Sequence, residues 1–347
     1  MKKIAALVTV VVLLLSLTLI YGKSYSFRHQ DQGINNAGSS PAETAGPETR
    51  PVSSITRETA TITPALATTT GNPAKIIYQN KVVALIYHHI DNQEIPGLVI
   101  SPQRFRHHLD MLRAQGYRAI NLEELRSFLK GEPIPDNAVL ITFDDGYESV
   151  YRYALPELRE KQMPAVSFAI VGYAGQKLGR LQHYDWQEAR EMAAAGFITQ
   201  SHTYNMHSYG LLANGRQGPI LSGPLKDQSA EDFMNMVYQD LARSREEIEA
   251  HLQQPVYALA LPYGAAGPLA IQAAARAGFQ LIFTTQAGAI TRKSNPLSLP
   301  RINAGSPAVS PSELDIIIRK AAGVETTVLT RSQAQTKISG KKANKKI

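Results

Sequence analysis

From about Lys81 to Gly323 the chain alternates short, apolar, β-branched runs with longer amphipathic stretches, and this alternation restricts its fold more than any other feature. The runs Val82 to Tyr87, Val139 to Phe143, Ala165 to Val171, Phe197 to Ser201, Val256 to Leu261 and Phe279 to Thr284 are apolar at successive positions, as strands covered on both faces must be. Helix start signals fall between them: Ser101-Pro102 before Phe105 to Leu112, Asn121 with Glu124, Asp185 before Trp186, Ser229 with Asp232, and Ser310-Pro311 with Glu313. Stop signals stand at Gly116, Gly131, Gly196, Gly278 and Gly323. Strand followed by helix, repeated over a domain of this size, predicts a parallel α/β architecture, either a barrel or a doubly wound sheet.

The flanks read differently. Lys2 and Lys3 precede the charge-free run Ile4 to Ile20, long enough as a helix at about 1.5 Å per residue to cross most of a bilayer. Residues 1–22 are therefore expected to be a signal anchor in the cell membrane. The lysines on the short side put the rest of the chain outside the cytoplasm. Leu19-Ile20-Tyr21-Gly22-Lys23 lacks a small-x-small site, which favours an uncleaved anchor over a signal peptide whose removal would leave a secreted protein. Residues 23–80, rich in Ser, Thr, Pro and Ala, bury too little to offset their ordering entropy and are expected to be a disordered tether. The folded domain is expected over 81–323, followed by a basic flexible tail over 324–347.

Of the net charge of +7, six charges lie in Thr326 to Ile347, so the folded part is close to neutral and a nucleic-acid partner is not indicated. With no cysteine, any metal must be held by histidine and carboxylate.

Four strand ends carry candidate chemistry. Asp144-Asp145-Gly146 follows the run Val139 to Phe143, where a parallel fold has its active-site rim, although Asp-Gly is by itself an ordinary turn. His202 and His207 follow Phe197 to Ser201. One strand end offering a carboxylate and another offering two imidazoles make up the donor set of a catalytic metal site with positions left open. Pro262-Tyr263-Gly264 offers either a rim aromatic for a sugar ring or a plain strand-to-helix turn. His88 and His89 end the first run; on an extended chain they point opposite ways, so only one faces the rim.

Thr142 to Tyr147 (TFDDGY), Ser201 to His207 and Pro262 to Gly264, in this order, resemble successive motifs of the polysaccharide deacetylase family, the NodB homology domain, over about Val82 to Arg301. Tyr87-His88, Ser101-Pro102, Phe105, Leu109 and Gly116-Tyr117 further resemble the branch containing the biofilm poly-N-acetylglucosamine deacetylases. The resemblance implies a distorted (β/α)7 barrel and an enzyme that hydrolyses N-acetyl groups of an extracellular N-acetylglucosamine polymer. It implies Asp145, His202 and His207 as ligands of one divalent metal ion, zinc or else cobalt, nickel or iron. Asp144 is then the general base, a backbone N–H near Tyr147 the oxyanion donor, and Pro262, Tyr263 and Gly264 line the substrate. The chain departs from the family at three points. It has no histidine after His251, which passes the leaving-group acid to His88; it has Ala260 where many relatives carry a base-orienting Arg; and it lacks an Asp in Leu281 to Gln286. Arg301 is the candidate replacement orienter. Peptidoglycan is the alternative substrate. A non-catalytic glycan-binding protein on a degenerate scaffold is the alternative of another class.

Overall fold

The computed structural model describes residues 75–325. The expected anchor, most of the tether and the tail from residue 326 lie outside the described residues, among which no helix is long and apolar enough to cross a membrane. Within Lys75 to Asn80, assigned to the tether on composition, Tyr78 is buried: its phenol donates to the Ala138 carbonyl, and the Asn137 side chain accepts from the Ile77 and Tyr78 amides.

Strands and helices alternate as β1 Val82–Tyr87, α1 Pro102–Ala114, β2 Arg118–Ala119, α2 Leu122–Leu129, β3 Ala138–Phe143, α3 Leu155–Glu160, β4 Ala165–Ala169, α4 Trp186–Ala194, β5 Phe197–Ser201, α5 Ala230–Leu252, β6 Ala258–Ala260, α6 Pro268–Arg276, β7 Leu281–Phe283, β8 Ile302–Asn303 and α7 Pro311–Ala321. The main sheet is parallel, in the order β7-β6-β5-β4-β3-β1-β8, with β2 on the early half of β3. It curls, and a parallel bridge from Phe283 to Leu299, three residues before β8, ties its two ends. This is the curled parallel-strand form of the expected barrel.

The caps read from sequence are formed. Ser101, Asn121, Asp185, Ser229 and Ser310 each accept a backbone N–H three residues on, and Asn121 and Asp185 complete capping boxes with Glu124 and Glu188. The strands after Ala165, Val256 and Phe279 are shorter than the apolar runs that announce them, because burial continues past the last ladder bond. β2, α3, the start of α6 and β8 were not anticipated, while Gly278 marks the end of α6.

Side chains alternate across the curl. Val82 and Ala84, Ala138 and Leu140, Val166 and Phe168, Ala258 and Ala260, and Leu281 and Phe283 share one core inside it, closed below by Leu122, Leu125 and Phe128 of α2. Their neighbours Val83, Leu85, Tyr87, Val139, Ile141 and Phe143 pack outward under the helices. A period of two therefore fixes which side chain faces the rim centre where each strand ends.

Candidate metal centre

Extending the inward rows by one more step gives the site. On β3 the row Ala138, Leu140, Thr142 continues to Asp144; on β1 the row Val82, Ala84, Ile86 continues to His88; on β5 Ile198 and Gln200 lead to His202. His89 faces the other way, its Nδ1 2.7 Å from the Ser149 hydroxyl. Asp145 should by the same rule point outward, and it does not, because the chain turns there. Asp145 has φ 73° and Gly146 φ 83°, and the turn is pinned by Ile170 N–H donating to the Asp145 carbonyl and Tyr184 N–H to that of Gly146. A side chain at Gly146 would put its Cβ 3.1 Å from that of Ala169, so the turn requires glycine for both its conformation and its space. A non-glycine residue at positive φ is uncommon, and Thr203 (78°) and Tyr263 (59°) repeat the feature at two of the three other rim ends that carry candidate residues.

Asp145 Oδ1 lies 3.4 Å from His202 Nε2 and 3.4 Å from His207 Nε2. It is buried and makes no hydrogen bond. An orphaned carboxylate oxygen equidistant from two imidazole nitrogens fits a shared ion: metal–ligand bonds of about 2.0–2.1 Å opened to a tetrahedral angle place ligand atoms about 3.3 Å apart. These three residues are the group of metal-ligating side chains among the described residues. His202 Nδ1 sits 2.8 Å from the Ala260 carbonyl, which fixes the proton on that nitrogen and leaves Nε2 as the free donor.

The charges fit the same picture. Burial alone would raise both carboxyl groups, but both are held below the ordinary range: Asp144 by the Arg301 guanidinium and by His202, Asp145 by contact with His202 and the charges of His88 and His207. His207 is lowered, mainly by burial, and therefore tends to the neutral, ligating form. On His202 burial is outweighed by Asp145 and Asp144, which raise it.

Arg301 is wholly buried inside the curl. Its Nη1 donates to Asp144 Oδ1 at 2.7 Å, its Nη2 to Asp144 Oδ2 at 2.8 Å, Nη1 also to Thr142 Oγ1 at 3.1 Å, and Nε to the Thr284 carbonyl at 3.1 Å. The guanidinium thus meets both carboxylate oxygens as a fork. His88 Nδ1 is buried without a hydrogen-bond partner. Tyr147 is buried between the rings of His89 and His183, with centroids at 5.1 and 5.0 Å, and burial and then Asp145 push its phenol well up. Pro262 is buried, while Tyr263 projects from the rim and packs on His207, centroids 4.5 Å apart.

Several residues that hold this arrangement were not anticipated. Asp240 on α5 accepts the Tyr204 and Asn205 amides, one on each oxygen at 2.9 Å, and so clamps the loop between the two histidines. Arg243 covers the Tyr204 ring at 3.8 Å. Ser244 meets the Ser201 hydroxyl at 2.7 Å, and that hydroxyl accepts the Thr203 amide. One signal was available: Ser244 interrupts the buried stripe Phe233, Val237, Leu241, Ile248 of α5.

Comparison with known proteins follows the same line. The family described as polysaccharide deacetylase matches residues 131–282. The poly-beta-1,6-N-acetyl-D-glucosamine N-deacetylase of Escherichia coli (strain K12) is 27% identical over 247 residues, covering 64% of this chain and 36% of that protein. The chain thus spans about a third of that relative's length. The protein of the same name from Staphylococcus aureus (strain MRSA252) is 25% identical over 247 residues, 66% of this chain and 81% of that one. IcaB from Ammonifex degensii superposes with a TM-score of 0.60 at 28% identity, over 70% of this chain and 98% of its own. The de-N-acetylase from Aggregatibacter actinomycetemcomitans, at 22% identity, shares the fold with a TM-score of 0.62 over 68% and 99% of the two chains.

Proposed function

We propose that the polysaccharide deacetylase domain carried by this chain hydrolyses N-acetyl groups of an N-acetylglucosamine polymer and releases acetate. The observation that carries this reading is the convergence of Asp145, His202 and His207 around an unsatisfied carboxylate oxygen, with Asp144 clamped beside them. The names of the E. coli and S. aureus relatives support the polymer named here, with peptidoglycan as the other substrate bearing the same group.

A divalent cation held by Asp145, His202 and His207 would supply Lewis acidity toward the acetamido carbonyl and the attacking water. Asp144 takes the water's proton: it ends an inward row at the rim, and Arg301 keeps it ionised. A backbone N–H near Tyr147 donates to the developing oxyanion. His88, inward-facing and with Nδ1 unpartnered, passes a proton to the leaving amine. Pro262, Tyr263 and Gly264 line the sugar.

The Arg301 fork supports catalysis over a degenerate glycan-binding scaffold, since it meets Asp144 as the Arg missing at Ala260 would, one of the two absences, with that of a late histidine, that motivate the alternative. We further propose that the domain works outside the cytoplasm, held by residues 1–22. The charge-free run after Lys2 and Lys3 supports this.

The test is acetate release from defined β-1,6 and β-1,4 N-acetylglucosamine oligomers by the zinc- or cobalt-loaded protein. Asp144→Asn should lower it by about 10²–10⁴-fold. Unchanged release by that variant, or none by the loaded wild-type chain, refutes the reading.

A further inference from the structure

Outward from the candidate metal centre runs a row of rings that extends past the residues given a role above. His202 and His207 stand 5.2 Å apart between centroids, His207 and Tyr263 4.5 Å, and Tyr263 and Tyr209 4.6 Å in an edge-to-face pair. The row passes from a buried ligand to open solvent: Tyr263 is 41% exposed and Tyr209 58%. Leu211, on the same strand as Tyr209, is also an exposed large hydrophobic.

Tyr209 opens an antiparallel hairpin, Tyr209–Leu211 against Gln217–Pro219, whose turn end is fastened rather than loose. Ala213 N–H donates to the Pro224 carbonyl and Lys226 N–H to that of Leu211. Gly210 sits flush on the segment beneath it: a Cβ there would lie 2.8 Å from Leu225 Cδ2 and 3.1 Å from Ile220 Cγ2. A large aromatic ring left in water on a braced support, edge to face with a rim aromatic of the centre, is an exposed apolar patch with a fixed geometry.

We propose that Tyr209, with Tyr263, forms a stacking subsite for the hexosamine unit next to the one whose acetamido group lies at the centre, so that the chain recognises polymer segments rather than single sugars. The proposal rests on the deacetylase reading for the identity of the sugar. The chemistry is that of an amphipathic ligand. A pyranose offers an apolar C–H face to an aromatic ring while its hydroxyls stay in water, and two rings meeting at an angle form a shallow cradle for adjoining units. Tyr263 touches a metal ligand and so serves the first unit. Tyr209, one ring further out, serves the second.

The experiment uses the full chain, metal-loaded, with an N-acetylglucosamine hexamer and the monosaccharide as probes. Calorimetric Kd values are measured together with kcat and KM for acetate release. Tyr209→Ala should weaken hexamer binding about tenfold, the scale of one lost aromatic contact. It should raise the hexamer KM by a similar factor, with a smaller loss on the monosaccharide. Tyr209→Phe, which keeps the ring, should stay within about twofold of wild type. Tyr209→Leu preserves apolar bulk for folding but has no flat face, and should behave as the alanine variant does. Hexamer affinity unaltered in both Tyr209→Ala and Tyr209→Leu overturns the proposal, as does a wild-type chain that binds hexamer no tighter than monosaccharide. A wild-type chain that binds hexamer through Tyr209 yet releases no acetate upholds the subsite and sinks the deacetylase reading instead.

Discussion

Replacing Arg301 by methionine keeps the length and apolar stem of the side chain while removing its charge from the interior of the curl. The guanidinium makes four hydrogen bonds there, two of them to the carboxylate of Asp144, and the rings of Phe168 and Phe283 lie 5.5 and 5.8 Å from it. Asp144 is itself only 3% exposed, so no water enters to solvate what is left behind. Breaking a buried pair by removing one partner costs about 3–5 kcal/mol. For a domain of this size that corresponds to a fall in Tm of about 6–20 °C.

The kinetic effect has a distinct signature. Burial alone pushes Asp144 up, and the Arg301 charge is the leading influence holding it down. Without that charge the acid limb of the kcat/KM profile should move up by about 1–3 pH units. On the plateau above the shifted acid limb, the loss should be about 10²-fold, from lost orientation alone. Arg301→Lys keeps the charge but not the fork and should fall between. In the double variant Asp144→Asn with Arg301→Met the charge left unpaired at position 144 is gone, so it should regain much of the stability that Arg301→Met alone loses. Differential scanning calorimetry and a pH–rate series read both effects. If Arg301→Met melts within about 1 kcal/mol of wild type and its acid limb stays in place, the coupled buried pair does not exist as argued.

Two further outcomes follow from residues away from the reacting atoms. His108 is buried between the Tyr87 phenol and the Val309 carbonyl, and burial lowers its pKa from 6.5 to about 4. The unfolded chain then holds the extra proton between these values, so stability is full above pH 6.5 and is lost as pH falls toward 4, by about 3 kcal/mol in all. His108→Gln, which can serve both partners without titrating, should flatten that part of the denaturant midpoint–pH curve; an equal slope in both proteins excludes His108 as its source. Asp240→Asn leaves one of the two loop amides facing an amide nitrogen, and zinc affinity measured against a competing chelator should drop about 10–100-fold. An unchanged affinity would show that the loop holds His207 without this clamp.

What the sequence made legible, and what it hid, follows from how local each signal is. Caps such as Asn121 with Glu124 are contained within four residues and were readable, as were apolar runs long enough to be strands. β8 has two residues, too few to carry a pattern, and its place beside β1 depends on a partner more than 200 residues away in the chain. Asp144 and His88 could be placed by alternation alone, because they prolong regular strands. Asp145 could not, since its orientation comes from a positive-φ turn anchored by β4 and by Tyr184. The Arg301 partnership is intermediate: the resemblance created a vacancy at Ala260, and the late arginine was the candidate for it, but only the closure of the curl brings that side chain to Asp144. Asp240 gave no warning, because an aspartate on a half-exposed helix face looks the same whether it caps a loop or faces water.

The site as folded is electrostatically incomplete. Asp144 and Asp145 contribute two buried negative charges and Arg301 answers one of them, on Asp144 alone. Asp145 Oδ1 is left with two imidazole nitrogens at 3.4 Å and no hydrogen bond, an arrangement that is costly in a low-dielectric interior unless a cation completes it. Binding of a divalent ion should therefore register as folding stability, independent of any turnover. At a free zinc concentration about 100 times its Kd, the linkage amounts to about 2.7 kcal/mol, or about 5–11 °C in Tm. Asp145→Asn removes the charge while keeping the shape, and it should melt at a temperature less dependent on zinc. Equal Tm values for the wild-type chain in excess zinc and in excess chelator would mean that the three side chains meet for some purpose other than holding an ion.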